Sequence, residues 1–122
     1  MTDPPRSPIT GALMVRAARP LTLVFQGRSF TFDMPGWYGA GDDDSLHTAE
    51  DMKVSDRAVN RLKAETLDLA LPEEIRRIRK RVGLSQAEAG ELICGGPRAF
   101  QKYEAGDLVP SRAISSALAL LD

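Results

Sequence analysis

The feature that most constrains the fold is a run of helix starts and stops within residues 83–106, GLSQAEAGELICGGPRAFQKYEAG. Ser85 with Glu88 three residues later is a capping box, which predicts the start of a helix. The Gly-Gly-Pro triplet at 95–97 predicts a turn followed by the first residue of another helix. The stretch therefore predicts two short helices joined by a glycine turn, which is a helix-turn-helix.

Three further helices are predicted around this pair. Pro72, followed by two glutamates, suits the first turn of a helix that ends at Gly83, and Ser111 suits the N-cap of a last helix. Apolar spacing predicts a longer helix from about Leu46 to Thr66. The apolar residues expected to form the core of the C-terminal part are Ile75, Ile78, Val82, Ala89, Leu92, Ile93, Phe100, Tyr103, Ala113, Ile114, Ala117, Leu118, Leu120 and Leu121.

The N-terminal half alternates between apolar and polar residues. Residues 21–25 and 30–34 alternate on either side of Gln26-Gly27-Arg28, which predicts a β-hairpin with glycine in its turn. Residues 1–12 and the glycine-rich residues 35–45 are expected to be loops. An isolated hairpin is marginal in water, so its apolar face must pack on this chain or on a partner, and its edge strand could pair with that partner.

Composition excludes several classes of protein. The single cysteine, Cys94, and single histidine, His47, exclude a disulfide framework and the usual Cys/His zinc sites, and they favour a reducing compartment. No apolar run is long enough for a bilayer, and Arg16 and Arg19 interrupt any signal-peptide core. These features predict a cytoplasmic protein that does not enter a membrane. The net charge of −1 means that binding of nucleic acid would need a local basic face.

The predicted second helix of the pair carries such a face. Arg98 can bond guanine, Gln101 can bond adenine, and Lys102 can bond guanine or a phosphate. A helix of this kind enters the major groove. Ser85 and Gln86 stand at the start of the first helix, where backbone N–H groups favour a phosphate. These five residues are the predicted DNA-binding residues.

Other charged or reactive groups have simpler interpretations. The basic residues of 76–81 are expected to form a solvated helix face, with phosphate contact as the alternative. Asp42–Asp44 and His47 are expected in a solvated loop rather than a metal site, and Cys94 as a small buried residue. The sequence contains no pattern typical of a nucleophile–base pair or a carboxylate dyad, so an enzyme is not predicted.

The stretch resembles the Xre/Cro family of helix-turn-helix regulators. The resemblance lies in Leu84-Ser85-Gln86, the small residue at position 90, Tyr103-Glu104-x-Gly106 and the proline at 110, and it covers about residues 72–122. It implies a five-helix bundle that binds DNA.

Nearly the whole chain also resembles the MqsA-type antitoxins of bacterial toxin–antitoxin pairs. The family motif Gly-Gly-x-x-Ala-Phe-x-[Arg/Lys]-Tyr-Glu is matched by Gly95, Gly96, Ala99, Phe100, Lys102, Tyr103 and Glu104. The resemblance implies that Arg98 and Lys102 read bases. Because the family usually has Asn and Arg at these two positions, the operator sequence is expected to differ.

The N-terminal module departs from that family. MqsA-type proteins typically hold a structural zinc ion through two Cys-x-x-Cys pairs, whose places are taken here by Ser7–Gly11 and the residues around Tyr38–Gly41. All four ligands are absent, so neither a metal nor a cofactor is expected. The hairpin must then be held by a partner or by the packing of Phe25, Phe30, Phe32 and Trp37.

Together these features predict an α+β protein with an N-terminal β-hairpin module and a C-terminal five-helix Xre/Cro-type bundle. Residues 1–66 are expected to bind a toxin, and residues 67–122 to bind operator DNA and dimerise. The resemblance implies an antitoxin that represses its own operon and neutralises an mRNA-cleaving toxin of the RelE/HigB or MqsR kind. The alternatives are a stand-alone Xre-family repressor without a toxin, and an adaptor whose helix-turn-helix contacts only proteins.

Overall fold

The computed structural model describes residues 3–41, 44–93 and 95–122. A three-stranded antiparallel sheet is followed by five helices, which confirms the predicted α+β class. Four helices lie within residues 67–122, and the fifth precedes them. The elements are β1 (Val15–Phe25), β2 (Arg28–Tyr38), β3 (Ser45–Leu46), α1 (Ala49–Thr66), α2 (Pro72–Val82), α3 (Gln86–Leu92), α4 (Ala99–Ala105) and α5 (Arg112–Leu121).

The hairpin forms where it was predicted but is longer. β1 and β2 pair from Val15↔Tyr38 to the turn at Gln26-Gly27, where both residues have positive φ, of 48° and 80°. Positive φ at both central residues is characteristic of the two-residue turn whose backbone twist matches that of the flanking strands. The predicted loop 35–45 is therefore wrong for Pro35–Tyr38, which belong to β2, and for Ser45, which belongs to β3.

Gly36 lies inside β2 because a neighbouring side chain needs the space beside it. A Cβ atom at this position would lie 2.5 Å from Nδ1 of His47, so a side chain has no room there. The imidazole occupies that space, with Nδ1 2.9 Å from the carbonyl oxygen of Pro35. A glycine inside a strand often marks such a close approach rather than a break in the strand.

One face of the hairpin packs on α1. Phe30, Phe32 and Met34 alternate along that face of β2, and the two phenyl rings stack with centroids 6.1 Å apart. Ala58 and Leu62 are the buried residues of α1 in its middle turns. Burial of this apolar face supplies the packing that a two-stranded hairpin needs to be stable.

Trp37 does not join this packing, which corrects the prediction. It alternates with Met34 and Tyr38 in β2 and so lies on the opposite face of the sheet. There the guanidinium carbon of Arg16 lies 5.6 Å from the indole centroid, within cation–π range.

The start of α1 is tied to β1 by a buried carboxylate. Asp51, 2% exposed, accepts a hydrogen bond from the Thr48 backbone N–H at 2.9 Å, and its own N–H donates to the Thr48 hydroxyl at 3.1 Å. The Arg16 guanidinium donates to both oxygens of the same carboxylate. The Arg16 hydrogen bonds, with help from Thr48, hold the pKa of Asp51 well below its usual range.

The C-terminal helices enclose one apolar core. It contains Ile75, Ile78, Ala89, Ala99, Phe100, Tyr103 and Leu118, with Leu84, Ile93 and Ile114 partly buried against it.

Five residues predicted for this core are exposed instead. Leu92 is 73% and Leu120 88% exposed, and Val82 and Leu121 are also on the surface. These four follow the last buried residues of their helices, whereas Ala113 is exposed in the first turn of α5. Toward the ends of these helices, the apolar side chains no longer face the core.

Helix α1 also contacts the C-terminal helices. The Arg57 Nε donates to Asp107 at 2.8 Å, Asn60 donates to the Gly106 carbonyl at 2.9 Å, and Arg61 pairs with Glu73 at 2.7 Å. Helix α1 is therefore joined both to the hairpin and to the C-terminal helices. Among the described residues, no helix combines the length and apolar character needed to cross a lipid bilayer.

Candidate nucleic-acid interface

The first helix of the pair starts at the predicted capping box. The Ser85 hydroxyl accepts from the Glu88 N–H, and the Glu88 carboxylate accepts from the Ser85 N–H, both at 3.1 Å. These bonds lower the pKa of Glu88. Gly83 ends α2 in the left-handed conformation, with φ of 85°, as its place after the helix predicted.

The turn between α3 and α4 passes directly over Gly90. A Cβ atom there would lie 1.8 Å from the carbonyl oxygen of Gly96, and the Gly96 N–H donates to the Gly90 carbonyl at 3.1 Å. The close neighbour that requires a glycine at position 90 is therefore the turn. Gly95 and Gly96 both have left-handed φ, of 98° and 85°, which explains two consecutive glycines.

Helix α4 begins at Ala99, two residues after the proline that was expected to start it. Arg98 is the N-cap residue, and no side chain caps this end of the helix. Ala99, Phe100 and Tyr103 face the core, and Gly106 ends the helix with φ of 84°. One side of this short helix is therefore held against the core, and a left-handed glycine ends the helix.

The opposite side of α4 is an exposed stripe formed by Arg98, Gln101, Lys102 and Ala105. The spacing of i, i+3 and i+4 places the three polar side chains beside each other. We call these four residues the α4 stripe. The structure thus brings together three of the five predicted DNA-binding residues on one helix face.

The cations of the α4 stripe differ from most others in the molecule. Within the described part of the chain, every other Arg and Lys except Arg76 and Lys80 makes a hydrogen bond, ion pair or ring contact. Neither Arg98 nor Lys102 has such a partner there. Their charges are therefore available to a ligand. Two neighbouring cations suit the regularly spaced phosphates of a DNA duplex.

The basic face predicted on α2 is divided. Arg77 and Arg81 pair with Asp122, and Arg79 pairs with Glu104, so these three are engaged within the fold. Arg76 and Lys80 remain exposed, four residues apart, and have no partner among the described residues. Because Arg77 and Arg81 are exposed as well, the solvated interpretation fits every basic residue of this face except Arg79.

Ser85 and Gln86 lie apart from the α4 stripe, at the start of α3. Ser85 is exposed and Gln86 is half-buried. The Ser85 hydroxyl oxygen is used in the cap, but its hydrogen can still be donated. Glu88 already occupies the Ser85 N–H, which reduces what this helix end offers to a phosphate.

A buried ion pair that sequence reasoning missed positions α4. Arg79 and Glu104 form two hydrogen bonds of 2.8 and 2.9 Å, and their side chains are only 12% and 6% exposed. Arg79 also donates to the Leu84 carbonyl at 3.0 Å, so one guanidinium joins α2, the start of the α3 segment and α4. The hydrogen bonds to Glu104 raise the pKa of Arg79. The Tyr-Glu pair in the motif was the available signal, but its partner lies 25 residues away.

The predicted solvated acidic loop is only partly correct. His47 is exposed, but Asp44 is 2% exposed because the Ser7 hydroxyl donates to its carboxylate. Asp42, Asp43 and Cys94 lie outside the described residues. Among the residues that are described, no three His, Cys, Asp or Glu side chains form a group suited to a metal ion.

Comparison with known proteins identifies the family of the chain. A family model described as "Antitoxin component of bacterial toxin-antitoxin system, MqsA" matches residues 6–122. The chain is 29% identical over 111 residues to Antitoxin MqsA of Escherichia coli (strain K12), covering 89% of this chain and 85% of that protein. It is also 30% identical over 86 residues to Vegetative-specific protein H7 of Dictyostelium discoideum, covering 70% of this chain and 82% of the relative. Since the family match extends over almost the entire sequence, the chain belongs to the MqsA family of antitoxin components of bacterial toxin–antitoxin systems.

Proposed function

We propose that this antitoxin binds double-stranded operator DNA through the α4 stripe, represses its own operon, and neutralises an RNA-cleaving toxin through residues 1–66. The observation that carries the DNA-binding part is the absence, within the described chain, of any intramolecular partner for Arg98 and Lys102 on the exposed side of α4. We assign no catalytic step to the chain.

In this proposal α4 enters the major groove with its N-terminal end leading. Arg98 bonds a guanine through N7 and O6, Gln101 bonds an adenine, and Lys102 bonds a guanine or a phosphate. Ala105 was not singled out by sequence reasoning. Its methyl group lies on the α4 stripe and can contact the methyl group of a thymine.

The start of α3 supplies backbone contact rather than base reading. The Ser85 hydroxyl hydrogen and the Gln86 side chain approach a phosphate beside the groove. Because the capping box already satisfies the Ser85 N–H, we expect this contact to be weaker than those of Arg98 and Lys102. Its role is to fix the orientation of α4 on the duplex.

The active form in this proposal is a homodimer. One short helix reads only a few base pairs, whereas a two-fold dimer reads a palindrome with half-sites about 34 Å apart. Residues 67–122 carry this role, and the exposed Leu120 and Leu121 at the end of α5 support an apolar contact between copies.

The toxin contact is assigned to the hairpin side of the molecule. β1 stands at the edge of the sheet, and the order β1-β2-β3 leaves its outer side without a neighbouring strand in the described chain. Val15 and Val24 are 67% and 72% exposed on it. An exposed edge with apolar side chains favours the addition of a partner strand. The partner is expected to be a ribonuclease of the RelE/HigB or MqsR kind.

The DNA-binding part is tested by operator affinity, measured by fluorescence anisotropy on the promoter fragment of its own operon. Replacing Arg98, Gln101 and Lys102 with alanine should weaken binding by at least 100-fold, since each bidentate base contact contributes about 1–3 kcal/mol. Unchanged affinity would contradict the docking of α4. Binding that does not weaken as salt rises would contradict phosphate contact.

A matched control is available on α2. Arg76→Ala with Lys80→Ala removes two exposed cations at the same i, i+4 spacing as Arg98→Ala with Lys102→Ala. The α4 pair should reduce discrimination between operator and scrambled DNA. The α2 pair should leave that ratio unchanged, even where it lowers both affinities through lost charge.

The toxin part is tested by co-expression with the product of the adjacent gene and recovery of a tagged antitoxin. A stoichiometric small protein that cleaves mRNA when expressed alone would support the proposal. Recovery of the antitoxin only as a dimer with its DNA would favour the stand-alone repressor.

A further inference from the structure

Two turns of the N-terminal module meet at a buried hydrogen bond. The Ser7 hydroxyl lies 2.8 Å from Oδ1 and 2.7 Å from Oδ2 of Asp44, 37 residues along the chain. Ser7 is 4% exposed and Asp44 is 2% exposed. We call this pair the Ser7–Asp44 clasp.

The Ser7 side chain uses its full hydrogen-bonding capacity. Its oxygen accepts from the backbone N–H groups of Ile9 at 3.1 Å and Thr10 at 3.0 Å. A hydroxyl has two acceptor sites and one donor, so its hydrogen goes to the Asp44 carboxylate. The first turn is closed further by the Gly11 N–H, which donates to the Ser7 carbonyl at 2.9 Å. One hydroxyl therefore orders the first turn and ties it to the second.

The second turn is built around Asp44. The Gly39 N–H donates to the Asp44 carbonyl at 2.8 Å, and the Asp44 N–H donates to the Gly41 carbonyl at 3.2 Å. A Cβ atom at Gly39 would lie 1.8 Å from Oδ2 of Asp44. The carboxylate thus occupies space that any side chain at position 39 would fill.

These turns are the segments in which MqsA-type proteins carry the two Cys-x-x-Cys pairs. A structural zinc site needs four nitrogen, sulfur or charged oxygen ligands in tetrahedral geometry. The described residues of these segments supply one carboxylate, the hydroxyls of Ser7, Thr10 and Tyr38, and three glycines without side chains. Since the Ser7 oxygen already accepts two N–H groups, this donor set does not fit zinc.

We infer that the Ser7–Asp44 clasp replaces the structural metal of the family and lets the N-terminal module fold without one. The hydroxyl accepts the two backbone N–H groups of its turn, and the carboxylate joins that turn to the end of β2. The module that is proposed to bind the toxin therefore keeps its shape in chelators and in oxidants that attack thiols. This inference concerns the fold of the module and stands whether or not a toxin binds it.

The first test measures metal content and unfolding of the full-length protein. Trp37 is the single tryptophan and lies in β2, so its fluorescence reports on this module. Plasma mass spectrometry should find far less than one metal ion per chain, and EDTA should leave the thermal midpoint unchanged. A stoichiometric metal ion whose removal lowers the Trp37 midpoint would overturn the inference.

The second test removes the clasp itself. Ser7→Ala and Asp44→Ala should each lower the Trp37 midpoint by about 5–15 °C, because each leaves buried polar groups without partners. Asp44→Asn keeps an acceptor for the Ser7 hydroxyl and should lose less. Thr10→Ala is the matched control, since this exposed hydroxyl only accepts from the Ala12 N–H at 3.3 Å; it should shift the midpoint little.

The double variant Ser7→Ala/Asp44→Ala separates a shared clasp from two independent effects. Two residues that stabilise through one contact are not additive, so the double variant should unfold close to the more damaged single variant. Fully additive losses would overturn the clasp. Should the variants fail to fold, slow exchange of the Ile9 and Thr10 amide protons in the unmodified protein supports it, and fast exchange contradicts it.

Discussion

The N-terminal module and the C-terminal helices keep their shapes by different means. The module joins its turns and strands with hydrogen bonds to two buried carboxylates, in the Ser7–Asp44 clasp and the Arg16–Asp51 pair. The helices enclose a continuous apolar core around Phe100, Ile75 and Leu118, each fully buried. A hairpin with one helix has little apolar surface to bury, so directional contacts take a larger share of its stability. The helices are stabilised by the apolar core, and the polar side chains of the α4 stripe remain exposed.

The Arg79–Glu104 pair is the strongest challenge to this comparison, because it is a buried polar contact inside the apolar half. Glu104→Ala should lower the free energy of unfolding by about 3–5 kcal/mol, since it leaves the Arg79 charge buried without a partner. Urea unfolding followed by circular dichroism measures the loss. Glu91→Ala, on the exposed side of α3, is the control. A loss below 1 kcal/mol would show that the helices depend on apolar packing alone.

Gly90→Ala tests the packing of the helical half directly. Its Cβ atom would lie 1.8 Å from the Gly96 carbonyl oxygen, so the turn must move away from α3. We expect a loss of about 2–3 kcal/mol, together with weakened operator binding because α4 follows that turn. Unfolding and anisotropy measured on the same preparation check both. Wild-type affinity for the operator would mean that the position of α4 does not depend on this contact.

Acid should affect the N-terminal module through Asp51. Its pKa is lowered in the folded state, so its stabilisation is fully present above the unfolded pKa of about 3.9 and is lost as pH falls toward the folded value. Asp51→Asn should cost about 2 kcal/mol at pH 7 and progressively less below pH 4. Urea unfolding followed by Trp37 fluorescence measures this difference across pH. A difference that stays constant from pH 7 to pH 2.5 would contradict the assignment, and Asp33→Asn, at an exposed site on β2, is the control.

The smallest effect is expected at the junction of the two halves. Arg57→Ala with Asn60→Ala removes two exposed or half-exposed contacts to Asp107 and Gly106, which should cost about 1 kcal/mol or less. The informative quantity is the difference between the unfolding midpoint measured by Trp37 fluorescence and the unfolding midpoint measured by circular dichroism. That difference should widen in the double variant, because α1 then holds the helices less firmly. Coincident midpoints in both proteins would mean that the halves unfold as one unit regardless of these contacts.

Local signals predicted the helical half well. Caps and glycine stops gave the limits of α2, α3 and α5 to within a residue or two, because each signal acts on its own helix end. The start of α4 was less accurate, since Pro97 lies in the turn and α4 begins only at Ala99. The side of α4 that carries Arg98, Gln101 and Lys102 followed from helical periodicity.

Contacts between distant segments were not predictable in the same way. Pro35 and Gly36 suggested a loop, and only the position of His47 explains why they continue a strand. The Ser7–Asp44 clasp and the Arg79–Glu104 pair join residues 37 and 25 positions apart, and no local pattern indicates which residue either carboxylate pairs with. The carboxylate of Asp44 was expected in solvent because its sequence neighbours are acidic. It is buried instead by the turn that contains Ser7, which is distant in sequence but in direct contact with it.

The α4 stripe has one more consequence under the proposed function. Within the described chain, the side chains of Arg98, Gln101 and Lys102 make no hydrogen bond or ion pair. Substitutions there can alter the preferred DNA while the protein remains equally well folded. After a gene duplication, two such antitoxins could therefore come to bind different promoters through changes on a single helix face. Each would then no longer repress the operon of the other.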